Sequence, residues 1–283
     1  MQILEEGIFY ENCYPGVTVG ALSLSHGLLL IDAPLRTEDI RNWRSVLHSR
    51  GNNTRLLVSL DAHLDRLLGV RMMEAPVLVH HKTGSTIKKY PSVFKGQSEE
   101  SGSEWELCAP LGSRRWTSQD FVFTSEVTLH WGGHTVQVLH MPGPMSGACW
   151  TVIPDAKIAF IGDAIVQHQP PFLGHAHIPT WLQTLDVLGA PEYKDFTLVS
   201  GRGGPVSAQD IQQQYELLAY IHQKMESMAA ENASIKTVRA LAPELLERIE
   251  YPPNRRGFYT MRLEYGLERY YRKHYLPEEK RKK

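Results

Sequence analysis

Four short segments place charged and polar residues directly after apolar runs that have the composition of strands. They are Ser59–Arg66, Met141–Gly147, Phe160–Asp163 and Ser200–Gly204. Side chains that follow neighbouring strands can converge at the edge of a packed sheet. Carboxylate and imidazole groups, which these segments contain, bind divalent metals, and their guanidinium groups bind anions. The segments therefore predict one cleft lined by charged side chains.

Three pairs of apolar segments have the composition of β-hairpins. The pairs are Val17–Leu24 with Leu28–Ile31, Phe121–His130 with His134–His140, and Cys149–Ile153 with Ile158–Ile161. Single strands are predicted at Leu56–Leu60, Pro76–His80 and Phe196–Ser200. Strands therefore dominate the middle of the chain.

Helical periods lie between and after these strands. An amphipathic helix can begin at Thr37 and end at Gly51, and Leu64–Met73 and Pro179–Leu188 also have a helical period. This order of elements predicts sheets that are covered by helices on their outer faces.

Two further segments have a distinct composition. Lys95–Glu104 is rich in Gly, Ser and Glu without an apolar period, which predicts a mobile surface loop. The chain from Ala208 to about Lys273 is predicted to form helices that are broken at Pro243 and at residues 251–253.

The composition is that of an ordinary globular protein. With 283 residues and 42% hydrophobic content, the chain is long enough to bury one large core or two modest ones. The net charge of −1 gives no global attraction to nucleic acid or to an anionic membrane. The chain begins without a basic segment followed by an apolar one, and no apolar run approaches the ~18 residues that span a bilayer. We therefore expect a cytoplasmic protein.

The cysteines predict no special chemistry. Cys13, Cys108 and Cys149 are three in number and far apart, which argues against a disulfide framework and against a thiolate zinc cluster. Cys149 lies in an apolar run without an adjacent base, so a buried structural thiol is expected there instead of a nucleophile.

The four charged segments, in this order and spacing, resemble the metallo-β-lactamase superfamily. Its members carry a strand followed by H-x-H-x-D-H, then P-G-H-T-x-G, a G-D pair and a G-H-G turn. The resemblance covers roughly residues 15 to 205, and L-L-L-I-D-A-P from Leu28 and P-T-W-L-Q-T-L from Pro179 support it. It implies a four-layer αββα sandwich of the α/β class over residues 1–207. Residues 208–283 would then be a C-terminal helical extension packed on the same domain.

The family uses these positions to hold two divalent metals, typically zinc, which activate a water for hydrolysis. For the first metal, the resemblance implies Asp61, His63 and Asp163 as ligands, whereas Pro144 stands where a further ligand would be. One metal at most is expected there, and manganese or iron gain on zinc because two of the three ligands are carboxylates.

Arginines replace both histidines of the second metal site. Arg66 and Arg202 stand at those positions, and a guanidinium group has no lone pair to give to a cation. We therefore expect no metal there and expect the arginines to pair with Asp65 and Asp163. Two interpretations remain open, namely an anion site at the mouth of the cleft and a closed salt-bridge network that binds no ligand.

Other histidines are candidates to replace the lost ligands. They are His140, His168, His175 and His177, of which the last two precede a predicted helix near the cleft. For the His80–His81 pair we expect a hydrogen-bonded structural role.

Two functions follow from these residues. The first is a hydrolase of an ester, lactone, thioester or phosphoester, in which one metal ion activates water, Asp65 acts as base or orienting group, and Arg66 or Arg202 stabilises an oxyanion. The alternative is a metal-free pseudoenzyme that binds a small anion or a protein partner. Neither nucleic acid nor a membrane is an expected partner.

Overall fold

The computed structural model describes residues 1–50, 53–96, 100–108 and 111–277. Gly51, the predicted end of the first helix, lies outside the described residues. No helix in the described part of the chain is both long enough and apolar enough to cross a membrane.

Fifteen strands occur in the described ranges. In chain order they are β1 (Gln2–Glu5), β2 (Ile8–Glu11), β3 (Val19–Leu24), β4 (Gly27–Ile31), β5 (Thr54–Val58), β6 (Val77–His80), β7 (Val93–Phe94), β8 (Arg114–Arg115), β9 (Phe121–Phe123), β10 (Glu126–Trp131), β11 (His134–His140), β12 (Cys149–Ile153), β13 (Ile158–Gly162), β14 (Thr197–Ser200) and β15 (Gly204–Pro205). The helices are α1 (Thr37–His48), α2 (Leu64–Val70), α3 (His81–Ile87), α4 (Ile178–Leu188), α5 (Ala208–Ala230), α6 (Ile235–Arg239), α7 (Ala242–Leu246) and α8 (Arg256–Tyr275).

The strands form two large sheets and one short ribbon. The first sheet has the order β1-β2-β3-β4-β5-β6-β9, the second has the order β10-β11-β12-β13-β14-β15, and β7 pairs with β8. Strands β4, β5, β6 and β9 are parallel to one another, as are β13 and β14. The carboxyl ends of parallel neighbours lie at the same edge of a sheet, so the segments that follow them are brought together there.

The two sheets pack face to face between layers of helix. Leu29 and Ile31 of β4 join a buried cluster that also contains Phe160 of the second sheet. The alternate residues Leu28 and Leu30 pack instead with Trp43 of α1 on the outer face of the first sheet. Because both of its faces are covered, β4 is a continuous apolar run.

Helices cover the outer face of the second sheet as well. Trp150 and Ile161 share one buried cluster with Leu218 of α5 and with Leu245 and Leu263 in the last helices. The predicted four-layer αββα sandwich is confirmed. The division of the chain at residue 207 stays a prediction.

The second predicted hairpin is wrong in its first strand. The first and third are confirmed by antiparallel pairing. Phe121–His130, by contrast, is two strands in different sheets, since β9 pairs with β6 and β10 pairs with β11. The carbonyl of Thr124, at the crossing, contacts Nε2 of the buried His80 at 2.8 Å. Thr124, Ser125 and Glu126 interrupt the apolar residues at this crossing, but strand composition alone does not show which sheet each strand joins.

The predicted surface loop Lys95–Glu104 is wrong at its carboxyl end, whereas residues 97–99 lie outside the described ranges. Ser101 is buried, and its backbone N–H and hydroxyl both donate to Glu106. The backbone N–H of Glu104 donates to Asp65 at 3.2 Å. This segment is therefore buried although it has no apolar period. Its polar groups donate hydrogen bonds to the carboxylates of Glu106 and Asp65.

Candidate functional site at the carboxyl ends of the strands

Three strands, β5, β13 and β14, deliver the predicted charged residues to one place. The segment after β5 carries Asp61 and His63, and α2 carries Asp65 and Arg66 in its first turns. Asp163 follows β13 directly, and the turn after β14 carries Arg202. All six side chains are buried, and hydrogen bonds join them into one network.

The guanidinium group of Arg66 lies among three carboxylates. Its Nε donates to Asp32 Oδ2 at 3.0 Å, its Nη1 lies 3.5 Å from Asp61 Oδ2, and its Nη2 donates to Asp163. Burial alone would lower the pKa of Arg66, but the carboxylates outweigh it and raise that pKa above its ordinary value. Arg66 is therefore permanently charged.

Arg202 occupies the other side of the same network. Its Nε donates to both oxygens of Asp163, at 3.1 and 3.0 Å, and its Nη1 donates to Asp65 at 2.9 Å. Its Nη2 lies 2.9 Å from Nδ1 of His63. Because a guanidinium group only donates, this imidazole nitrogen accepts the bond and its lone pair is engaged. The predicted pairing of the arginines with Asp65 and Asp163 is observed.

Burial and the two arginines determine the protonation of the network. Burial, and then the charge of Arg202, lower the pKa of His63 to about 3, so its ring is neutral at pH 7. Burial would raise the pKa of Asp163, but Arg202 and Arg66 hold it well below the ordinary range. Burial raises the pKa of Asp32 to about 7 against the opposing charge of Arg66.

The donor set in this arrangement does not fit a divalent metal. Nδ1 of His63 is bonded to Arg202, both oxygens of Asp163 are bonded to arginine, and Asp61 Oδ1 accepts the backbone N–H of His63 at 2.8 Å. No group of three histidine, cysteine or acidic side chains within the described residues has the geometry of a metal site. Metal binding by Asp61, His63 and Asp163 stays a prediction for experiment.

The other candidate histidines make their contacts elsewhere. His140 stacks on His80 with ring centroids 3.8 Å apart, His168 faces Glu250 at 3.8 Å, and Nδ1 of His177 lies 2.7 Å from the Thr180 hydroxyl at the start of α4. His175 alone of the four lines the cleft described next.

A pocket of about 170 Å³ lies beside the arginine network. Its wall includes His63 from the network, Phe172 and Leu173 after β13, and Arg262 and Arg269 from α8. The ring of Phe172 lies against the guanidinium groups of both Arg202 and Arg262, whose central carbons are 4.5 and 4.0 Å from its centroid. The last helix therefore closes one side of the cleft.

Sequence reasoning missed Asp32, Glu104 and Arg262. Asp32 ends the apolar run of β4 and pairs with Arg66. Arg262 is a charged residue on the apolar face of α8, between Tyr259 and Leu263. A charged residue at a buried helical position needs a polar partner. The position of Arg262 in the apolar period of α8 was therefore a signal for a polar site that the sequence contained.

No family model and no curated protein sequence matches the chain. Its fold is similar to that of a metallo-β-lactamase family protein from Thermus thermophilus, with a TM-score of 0.66, 18% identity and coverage of 96% of this chain and 95% of that one. A metallo-β-lactamase from Pontibacter korlensis has a TM-score of 0.57 and 18% identity over 77% of this chain and 97% of its own. The DIM-1 metallo-β-lactamase has a TM-score of 0.60 and 16% identity, covering 77% and 96%. At these identities the likeness shows a shared fold.

Proposed function

We propose that this chain, which has the metallo-β-lactamase fold, is a metal-independent protein that binds a small anion. One observation carries the proposal, namely that Arg66 and Arg202 fill the centre of the cleft and bind the side chains that would otherwise hold metals. These two fixed guanidinium charges pair with the buried carboxylates of Asp65 and Asp163, which therefore need no ion for compensation.

The pocket beside this centre supports an anionic ligand. The described residues that line it include Arg262 and Arg269, whereas none of them is an aspartate or a glutamate. Arg269 is exposed at the rim, where its charge can attract an anion from solvent. Two arginines and no acidic residue among the described residues of its wall favour an anion in the pocket.

The competing function is the hydrolase that holds one metal on Asp61, His63 and Asp163. For His63 to offer Nδ1 to a metal, Arg202 must give up its bond to this nitrogen. Arg202 would then lose one partner while remaining fully buried, which is costly for a charged group. This cost favours the metal-independent function.

Elemental analysis of protein purified without chelator tests the proposal. After equilibration with excess zinc, manganese or iron and removal of free metal, we expect a metal content well below one ion per chain. Anomalous scattering at the metal edge then locates any ion that is retained. A stoichiometric ion bound to Asp61, His63 or Asp163 would refute the proposal and favour the hydrolase.

A further inference from the structure

Arg262 is a buried cation whose donors are incompletely paired. Its side chain is 1% exposed, its Nε donates to the carbonyl of Gly102 at 2.7 Å, and its Nη1 donates to Gln169 at 2.8 Å. Its Nη2 has no hydrogen-bond acceptor among the described residues, and Glu104 Oε1 lies at 3.5 Å. Buried guanidinium donors without an acceptor are rare and costly. An anion entering the pocket would supply the acceptor.

The rest of the pocket wall is largely apolar. Its apolar members are Ala62, Leu64, Pro144, Met145, Phe172 and Leu173. A bare inorganic anion would leave these side chains against water, whereas a ligand with a hydrocarbon body would bury them. The wall therefore favours a ligand that has one anionic end and one apolar end.

The volume limits the size of that ligand. A dry cavity of about 150 Å³ accommodates a benzene-sized molecule. The pocket, at about 170 Å³, has room for such a body together with a carboxylate. Burial, and then the charge of Arg202, lower the pKa of Arg262 to about 10, so it remains a cation at pH 7.

We propose that this pocket binds a small organic acid of benzoate size, whose carboxylate pairs with Arg262 and whose apolar body lies against Met145, Phe172 and Leu173. The inference rests on the proposed function, since it specifies the anion that the cleft holds. Nη2 of Arg262 is buried and its nearest carboxylate, Glu104, lies at 3.5 Å, so the proposal requires the ligand carboxylate to take the place of Glu104 beside Nη2. Glu104 keeps its ion pair with Arg255, at 3.4 Å.

Calorimetric titration of the full chain with benzoate, benzamide and inorganic phosphate tests the ligand class. Benzamide has the same shape without the charge, and phosphate has the charge without the apolar body. We expect benzoate to bind at least about tenfold more tightly than either, because benzamide lacks the charge that strengthens a buried hydrogen bond and phosphate buries no apolar surface. Equal affinity for benzoate and benzamide, or no binding of benzoate at millimolar concentration, would overturn the inference.

Two variants locate the site. Arg262→Gln should weaken benzoate binding at least about tenfold, whereas Arg256→Gln, an exposed arginine on the same helix, should leave it unchanged. Gly174→Leu should block the pocket, because a Cβ there would lie 3.4 Å from the Tyr265 ring and 3.6 Å from Arg269 Cβ. If Arg262→Gln does not fold, the test rests on Gly174→Leu alone. Undiminished benzoate binding by Gly174→Leu would then overturn the inference.

The two proposals fail differently. Binding of phosphate in preference to benzoate would overturn the organic-acid ligand and leave a metal-independent anion site. A stoichiometric metal, measured in the same preparation before titration, would refute the proposed function whatever benzoate does.

Discussion

Arg202 donates from Nε to both carboxylate oxygens of Asp163, at 3.1 and 3.0 Å, and both side chains are buried. Arg202 also pairs with Asp65, and Asp163 also pairs with Arg66. Breaking such a network from one side leaves carboxylates buried without compensation, which costs more than the network itself contributes. We therefore expect the pair to contribute to the stability of the fold.

The first prediction concerns the loss of this buried cation. Arg202→Met keeps the volume but removes the charge, and we expect the free energy of unfolding to fall by about 3–5 kcal/mol. Arg44→Met is the matched control, because Arg44 forms an exposed ion pair with Glu74 at 2.6 Å and should cost at most about 1 kcal/mol. Urea unfolding of both variants measures the difference. Equal losses would contradict a structural role for the network.

Most of the charged centre could be predicted from the sequence, because the segments that carry it follow apolar strands, but its member Asp32 was not among the predicted residues. The types and spacing of Arg66, Asp163 and Arg202 predict their pairing, since buried carboxylates need a compensating charge. The strand and helix periods predict sheets covered by helices, whereas the four-layer αββα arrangement is what the resemblance to the metallo-β-lactamase superfamily implies.

The pocket could not be predicted in this way. Arg262 meets Gly102 across 160 positions of sequence. A period on α8 indicates which face is buried, but it does not indicate which loop or strand that face meets. The same limit explains Phe121–His130, where two consecutive strands join different sheets.

The second prediction concerns a variant that restores histidine at positions 66 and 202. In the double variant Arg66→His/Arg202→His, imidazole groups with free lone pairs replace the two guanidinium groups, while Asp65 and Asp163 remain. We expect low stability without metal and a rise in Tm on addition of zinc, because an ion that binds only the folded state stabilises it. Thermal unfolding with and without zinc measures the shift, and the wild-type chain is the control. A Tm that does not respond to zinc in the double variant would show that these positions do not correspond to ligand positions.

The third prediction is a loss of stability in acid caused by His80. This ring contacts the Thr124 carbonyl through Nε2 at 2.8 Å and accepts the backbone N–H of Lys82 at Nδ1, so the neutral form satisfies both bonds. Burial lowers its pKa from 6.5 to about 4. The unfolded chain therefore binds this proton first as the pH falls, and stability is lost between about pH 6.5 and pH 4.

The size of this effect follows from the shift. The lowering of the His80 pKa from 6.5 to about 4 corresponds to at most about 3 kcal/mol in the free energy of unfolding. This contribution is present at pH 7 and is lost near pH 4. Urea unfolding of wild type and His80→Gln between pH 7.5 and 4 measures it. We expect the stability curve of the variant to be flatter over this interval, and parallel curves would rule out His80 as the source.

The fourth prediction concerns the glycine beside Arg66. A Cβ at Gly201 would lie 2.2 Å from Nη2 of Arg66, and this nitrogen is held by Asp163. Gly201→Ala must therefore displace the guanidinium group or the turn, and we expect a loss of at least about 2 kcal/mol. Gly189→Ala is the matched control, because its Cβ would meet nothing closer than 3.6 Å and should change stability by less than about 1 kcal/mol. Thermal unfolding of both variants measures the contrast, and an equally small effect at Gly201 would mean that Arg66 can move freely within the network.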